Sequence, residues 1–286
     1  MKHLLYITTL LLLLSACQKE IDIDYHDVSP VVIIEGRITN EQAYVLITRT
    51  RSMEDSIKGY GISGATVLIS SDSLSEQLVY DSGTGYYQSP SGMKGVPGHT
   101  YHLTVQLDGH QYEATSTMPQ PATIISAEFV SQPFLANEVL MYEMWAVDPE
   151  PDERNYFWYR MDRHSPNPQV RLKQGQEPYR WNTFDDRGSL AGRIYRDVFC
   201  VDEEMMDGVD IEEEFLKSVL FDGDTITFQL MAIDRPTFEY YQSLGVGQRM
   251  GANPTSNISG GCLGYFTAGS VTRADTVIYH SPISRQ

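Results

Sequence analysis

Tyr101-His102-Leu103-Thr104-Val105-Gln106-Leu107 decides the fold class. Tyr101, Leu103, Val105 and Leu107 fall on one side of an extended chain, and His102, Thr104 and Gln106 on the other. A period of two is that of a strand with one dry face and one wet face. Asp108-Gly109 follows, a two-residue hairpin signal, because both residues accept the positive φ of a tight turn. Residues 111–117 return as the second arm, and Pro119 and Pro121 close the block.

Upstream, the apolar run 31–34 leads to Gly36, and strand-like stretches follow at 44–50 and 65–70. Gly85 lets the chain turn into a strand carrying an inward aromatic, and Gly98 closes the turn before the alternating strand. Downstream, residues 139–147 and 156–161 read as strands, separated by Asp148-Pro149-Glu150-Pro151-Asp152-Glu153, an acidic hairpin loop too rich in proline for a strand or helix. Residues 225–232 alternate again, with Ile226, Phe228, Leu230 and Ala232 on one face. Asp234-Arg235-Pro236 supplies an N-cap acid and an early proline for a helix near 236–245, with Phe238, Tyr241 and Leu244 on one side and Gly245 and Gly247 ending it. A second helix is a candidate at 212–220. The expectation is a mainly β chain of two β-sandwich domains in tandem, immunoglobulin-like or transthyretin-like, at 30–118 and 122–286, with one or two short helices in the second.

The N-terminus speaks to location. Met1-Lys2-His3, the apolar run 4–14 and Leu14-Ser15-Ala16-Cys17 form a lipoprotein signal peptide over residues 1–16: too short to span a bilayer, with small residues before the cut. The mature chain then begins at Cys17, whose thiol and freed amine carry acyl chains such as palmitate, and two or three chains make a stable anchor. Residues 17–29 are the lipidated tether. Removing Lys2 leaves 20 basic against 38 acidic residues and moves the formal charge from −17 to −18. Such a balance excludes nucleic acid as a partner and leaves lipid as the only grip on the membrane. Of the three cysteines, Cys200 and Cys262 remain after lipidation, and in an oxidising envelope they are expected to form one disulfide, stabilising by roughly 4 kcal/mol.

No catalytic constellation stands out, and the expectation is a non-enzymatic protein without a cofactor. There is no G-x-S-x-G elbow and no H-E-x-x-H, and neither cysteine sits in a C-x-x-C pair. His99 and His102 face opposite sides of an extended strand, which sets them apart as metal ligands. Asp148, Glu150 and Asp152 are the calcium candidates, although their segment lacks the order of an EF-hand and a solvated loop tip is the simpler reading. Gly245-Val246-Gly247 follows a helix rather than a strand, which is the wrong context for a dinucleotide fingerprint. Tyr179 and Trp181 are the aromatics singled out as ligand-facing candidates, while Tyr156, Phe157, Trp158 and Tyr159 read as core and sheet packing.

Several motifs carry resemblances. Gly64-Ala65-Thr66-Val67, Gly83-Thr84-Gly85-Tyr86-Tyr87 and the strand after Gly98 are similar to the transthyretin-like carboxypeptidase-regulatory sandwich. Asn253-Pro254-Thr255-Ser256-Asn257-Ile258-Ser259-Gly260-Gly261-Cys262-Leu263-Gly264-Tyr265-Phe266 is the most specific stretch. With Ile21-Asp22-Ile23-Asp24, Ile33-Ile34-Glu35-Gly36, and Gly223-Asp224-Thr225-Ile226 ahead of Tyr240-Tyr241, it resembles the Bacteroidota lipoprotein family called domain of unknown function 4249, across essentially the whole mature chain.

That resemblance implies an outer-membrane lipoprotein of unassigned molecular activity, encoded beside TonB-dependent receptors, and no catalytic residue comes with it. Gln18-Lys19-Glu20-Ile21-Asp22 resembles the surface-export tag of such lipoproteins, with Ile21 interrupting the acids, and favours the cell surface over the periplasmic face. The expected function is a binding or accessory partner of a TonB-dependent outer-membrane receptor in uptake or surface assembly, the alternative being a surface adhesin or glycan-binding module. Asp55-Ser56-Ile57 and Asp72-Ser73-Leu74 resemble O-glycosylation sites of Bacteroidota envelope proteins, which makes Ser56 and Ser73 the modification candidates.

Overall fold

The structure is a computed structural model that describes residues 29–51, 61–134, 137–147, 150, 153–166, 182–185, 192–199 and 222–280. The chain runs through β1 (Val32–Thr39), β2 (Ala43–Arg49), β3 (Thr66–Ser70), β4 (Ser75–Asp81), β5 (Tyr86–Gln88), β6 (Thr100–Leu107) and β7 (His110–Thr117). It continues with β8 (Thr123–Phe134), β9 (Asn137–Val147), β10 (Tyr156–His164), β11 (Asn182–Asp185), β12 (Gly192–Phe199) and β13 (Thr225–Ile233). Among the described residues one helix, α1 (Arg235–Met250), then leads to β14 (Leu263–Arg273) and β15 (Val277–Ile278). The fold is mainly β, as expected, and its sheets pack as sandwiches.

The deciding hairpin forms as read. Leu107 pairs with His110, and the loop residues Asp108 and Gly109 have φ of 51° and 78°. That is the left-handed pair a two-residue turn requires. Tyr101, Leu103, Val105 and Leu107 are all buried, as is Tyr87 after Gly85. β4 was not anticipated, and Leu78 is its one fully buried residue, so no apolar alternation announces it.

The strand order is β11-β10-β13-β14-β1-β2-β5-β4-β3-β6-β7. This long sheet folds over itself: the Glu113 carbonyl of β7 accepts from the Ser259 amide at 2.8 Å, just ahead of β14. The first core lies inside the fold, built from Ile34, Ile38, Val45, Ile47, Val67, Ile69 and Val105. Residues 30–118 do not make this core alone. β14 runs parallel to β1, from Ile33 opposite Leu263 to Thr39 opposite Gly269, and Ile258, Cys262, Phe266 and Ala268 pack into the same cluster.

β12-β9-β8 form a separate three-stranded sheet. Met144 and Ala146 of β9 meet Phe157, Ile226, Phe228, Leu230 and Ala232 to make a second core, on the face of β13 that the sequence pattern assigned to burial. The opposite face of β13 is buried too: Met231 and Ile233 join Tyr156, Trp158 and Tyr265 beneath α1, which contributes Tyr240 to the same cluster. Sheet, sheet and helix are therefore three layers there.

Two expectations are corrected. The acidic segment after β9 is not a hairpin loop, because β9 pairs with β8 and β12 while β10 pairs with β11 and β13; the chain crosses from one sheet to the other there. α1 does not stop at Gly245 but runs through both internal glycines to Met250. A helical glycine costs about 1 kcal/mol, which lowers propensity without forcing an end. Gly251, at φ 68°, supplies the left-handed residue that terminates the helix. The N-terminus behaves as read, with Asp234 Oδ1 accepting from the Thr237 amide at 3.1 Å. The helix candidate at 212–220 lies outside the described residues.

Candidate functional site

Strand alternation assembles the site. On β1, Ile34, Gly36 and Ile38 turn toward the first core, so Glu35 and Arg37 point to the opposite face. An added Cβ at Gly36 would lie 3.0 Å from the Phe266 ring, so the small residue lets β1 approach the core closely while its charged neighbours face outward. The same alternation puts Tyr44 of β2, Tyr86 of β5 and Tyr265 of β14 on the outward face, and α1 brings Tyr240 and Tyr241 against it.

Arg37 is the centre of this cluster. Its Nε donates to the Tyr265 hydroxyl at 2.8 Å and its Nη1 to the Tyr44 hydroxyl at 3.0 Å, while Nη2 also donates to Tyr265. The guanidinium carbon lies 4.8 Å from the Trp158 ring centroid and 5.6 Å from that of Tyr265. A delocalised cation over aromatic faces, in a site poor in water, gains about 2 kcal/mol from such contacts. Burial opposes its charge, yet the phenols of Tyr265, Tyr44 and Tyr241 outweigh burial and hold its proton more tightly than usual. Trp158, Tyr241, Tyr240 and Tyr265 pack edge to face or tilted around it, with centroids between 4.3 and 5.4 Å apart.

Glu35 sits two residues away on the same face and is used differently. Its carboxylate accepts no hydrogen bond and makes no ion pair among the described residues. Burial raises it above the usual range, against the opposing pull of Arg37. The same carboxylate helps push up the phenols of Tyr86 and Tyr240, after burial in both cases. Neither of those hydroxyls makes a hydrogen bond among the described residues. The arrangement is a fixed arginine that gives three hydrogen bonds to two phenols, beside an acceptor and two donors whose polar ends make none among the described residues.

A second polar junction holds α1 in place. Ser116 of β7 donates to Asp234 Oδ2 at 2.6 Å and accepts from the Ala268 amide at 2.8 Å, so one hydroxyl ties the helix N-terminus to β7 and β14. Burial lifts the Asp234 carboxyl above its ordinary range, although the hydrogen bonds from Ser116 and Thr237 pull the other way.

Of the site residues singled out from sequence, Cys262, Ser73 and Glu150 are described, and none of them belongs to the Arg37 cluster. Cys262 is a free thiol buried in the first core, and Cys200, its expected disulfide partner, is not among the described residues. Gly260, Gly261 and Gly264 all have positive φ. Ser73 is exposed in the turn between β3 and β4, where the Ser71 amide donates to the Leu74 carbonyl. Glu150 is half-buried, and its carbonyl accepts from Asn155 Nδ2 at 3.0 Å. Cys17, Ser56, Asp148, Asp152, Tyr179, Trp181 and Cys200 lie outside the described residues. No group of three or more histidine, cysteine or acidic residues among the described residues is arranged to hold a metal ion. No helix among them is long and apolar enough to cross a membrane. Sequence reasoning passed over Glu35 and Arg37; the available signal was a pair of opposite charges two residues apart inside Ile33-Ile34-Glu35-Gly36-Arg37-Ile38.

The family model described as Domain of unknown function (DUF4249) matches residues 18–275. The chain belongs to that family. The DUF4249 match takes in β1 to β14, α1 and every residue of the Arg37 cluster. No curated protein matches this DUF4249 chain.

Proposed function

We propose that the chain is an outer-membrane lipoprotein, anchored through Cys17 and displayed at the cell surface, that acts without catalysis as the binding partner of a TonB-dependent receptor in uptake or surface assembly. The lipobox Leu14-Ser15-Ala16-Cys17 and the polar tether behind it support the anchor. The observation that carries the binding role is an apolar patch on the outer face of the three-stranded sheet. Trp145 and Val147 of β9 point away from the second core and are 40% and 44% exposed, and Ile125, at the β-bulge of β8, is 67% exposed. A tryptophan flanked by aliphatic groups on a sheet face has the composition of a protein-docking hot spot. Tethering to the bilayer keeps such a patch beside membrane partners at high effective concentration.

The test is gentle detergent extraction of the tagged lipoprotein from its native outer membrane, with protease treatment of intact cells in parallel. One stoichiometric receptor is expected to co-purify, to be lost with Trp145→Asp, and the lipoprotein should be cut on intact cells. Recovery of the lipoprotein alone would overturn the receptor role.

A further inference from the structure

We propose that Glu35, Tyr44, Tyr86 and Tyr240 form a binding site for one neutral saccharide ring, on the sheet face beside α1. The geometry favours this ligand chemistry over its competitors. The Glu35 carboxylate is an acceptor with no protein donor among the described residues, set among phenols in a half-buried position. Tyr86 and Tyr240 offer hydroxyl donors that nothing described engages, and the Tyr44 hydroxyl, which accepts from Arg37, keeps its own proton to give. Tyr44 and Tyr86 stand edge to face, with centroids 5.5 Å apart and planes at 85°, and both are half-buried, so part of this aromatic pair is open to solvent beside the polar groups. Several hydroxyls and an apolar C–H face on one ring are what such a surface matches.

A cationic ligand is disfavoured because the Arg37 guanidinium is fixed two residues from Glu35 and already occupies the aromatic faces of Trp158 and Tyr265. An anion is disfavoured by Glu35 itself, while Nε, Nη1 and Nη2 of Arg37 each donate to Tyr265 or Tyr44. A neutral polyol meets neither penalty. This site uses β1, β2, β5 and α1, whereas receptor docking uses β8 and β9, so either reading can fail alone.

Calorimetric titration of the detergent-solubilised full chain with the methyl glycosides of glucose, galactose, mannose and N-acetylglucosamine tests it. At least one glycoside is expected to bind with a dissociation constant on the order of millimolar, through a few solvent-competed hydrogen bonds. Glu35→Gln should weaken that binding by about tenfold or more, the usual cost of losing a charge-assisted hydrogen bond. Tyr86→Phe, at a half-exposed phenol that packs no core, should weaken it severalfold with an unchanged melting temperature, and Trp145→Ala should leave it unaltered. Tetramethylammonium and sulfate should not compete. The proposal is overturned if no glycoside binds, if both Glu35→Gln and Tyr86→Phe bind as wild type does, or if tetramethylammonium displaces the sugar. Receptor co-purification should survive both of those substitutions.

Discussion

Arg37 Nε donates to the Tyr265 hydroxyl at 2.8 Å across 228 residues of sequence, and through that bond the first sandwich is fastened to the layer beneath α1. Tyr265 is fully buried, and burial pushes its phenol up to about 12, so it stays protonated wherever the protein is folded.

Arg37→Lys should therefore be costly. A lysine is a point charge that cannot serve Tyr265 and Tyr44 at once or lie flat over Trp158. A loss of roughly 2–4 kcal/mol is expected in urea unfolding followed by tryptophan fluorescence. Arg49→Lys, at the exposed pair with Asp108, should change stability by less than about 0.5 kcal/mol and serves as the comparison.

Gly264→Ala should damage the parallel pairing of β1 and β14. Gly264 has φ 107°, and a Cβ there would lie 1.9 Å from the Ile34 carbonyl oxygen. Backbone strain and steric overlap together predict a loss of roughly 3 kcal/mol or more. Hydrogen exchange should then accelerate in β1 as well as in β14, and an effect confined to β14 would contradict the account.

Asp234 gives the fold a pH dependence with a definite sign. Because burial raises its carboxyl in the folded state, the native protein holds that proton more tightly than the unfolded chain does. Between about pH 4 and the raised native value the folded state binds more protons, so this group lowers stability as pH rises. Asp234→Asn removes the titration and keeps an oxygen for the Thr237 amide. Wild type should lose stability relative to the variant as pH rises from about 4 toward 7. A constant difference across that range would refute the assignment.

Cys262 should behave as a silent thiol. Burial pushes it up to about 11, far from the thiolate that reacts. Without any reductant, Cys262 should stay unlabelled by a maleimide in the native protein yet react once denaturant is added. Labelling that requires prior reduction would establish the disulfide instead.

The local parts of this architecture were legible in the sequence. Alternation of apolar residues placed β6, β7 and β13, Asp108-Gly109 placed the tight turn, and Asp234 capped α1 as its side chain suggested. The pairing of β1 with β14 was not legible, because register between distant segments leaves no local period. Without that pairing, Glu35 and Arg37 read as the wet side of an ordinary strand. Tyr265 and the tyrosines of α1 are what turn that side into a half-buried site. The Tyr240-Tyr241 pair was visible as a motif, but which strand it would cover is decided by tertiary packing.

The parallel seam between β1 and β14 also dictates when the protein can fold. Synthesis delivers β1 well before β14, so the nascent N-terminal sheet waits, with one edge open and Ile34 and Ile38 missing their Phe266 and Ala268 neighbours. A chain cut short anywhere before residue 263 lacks the strand that joins the two cores. The emergence of β14 is thereby written into the hydrogen bonding: only a chain that has reached it can close, and every shorter one stays open to chaperones and proteases.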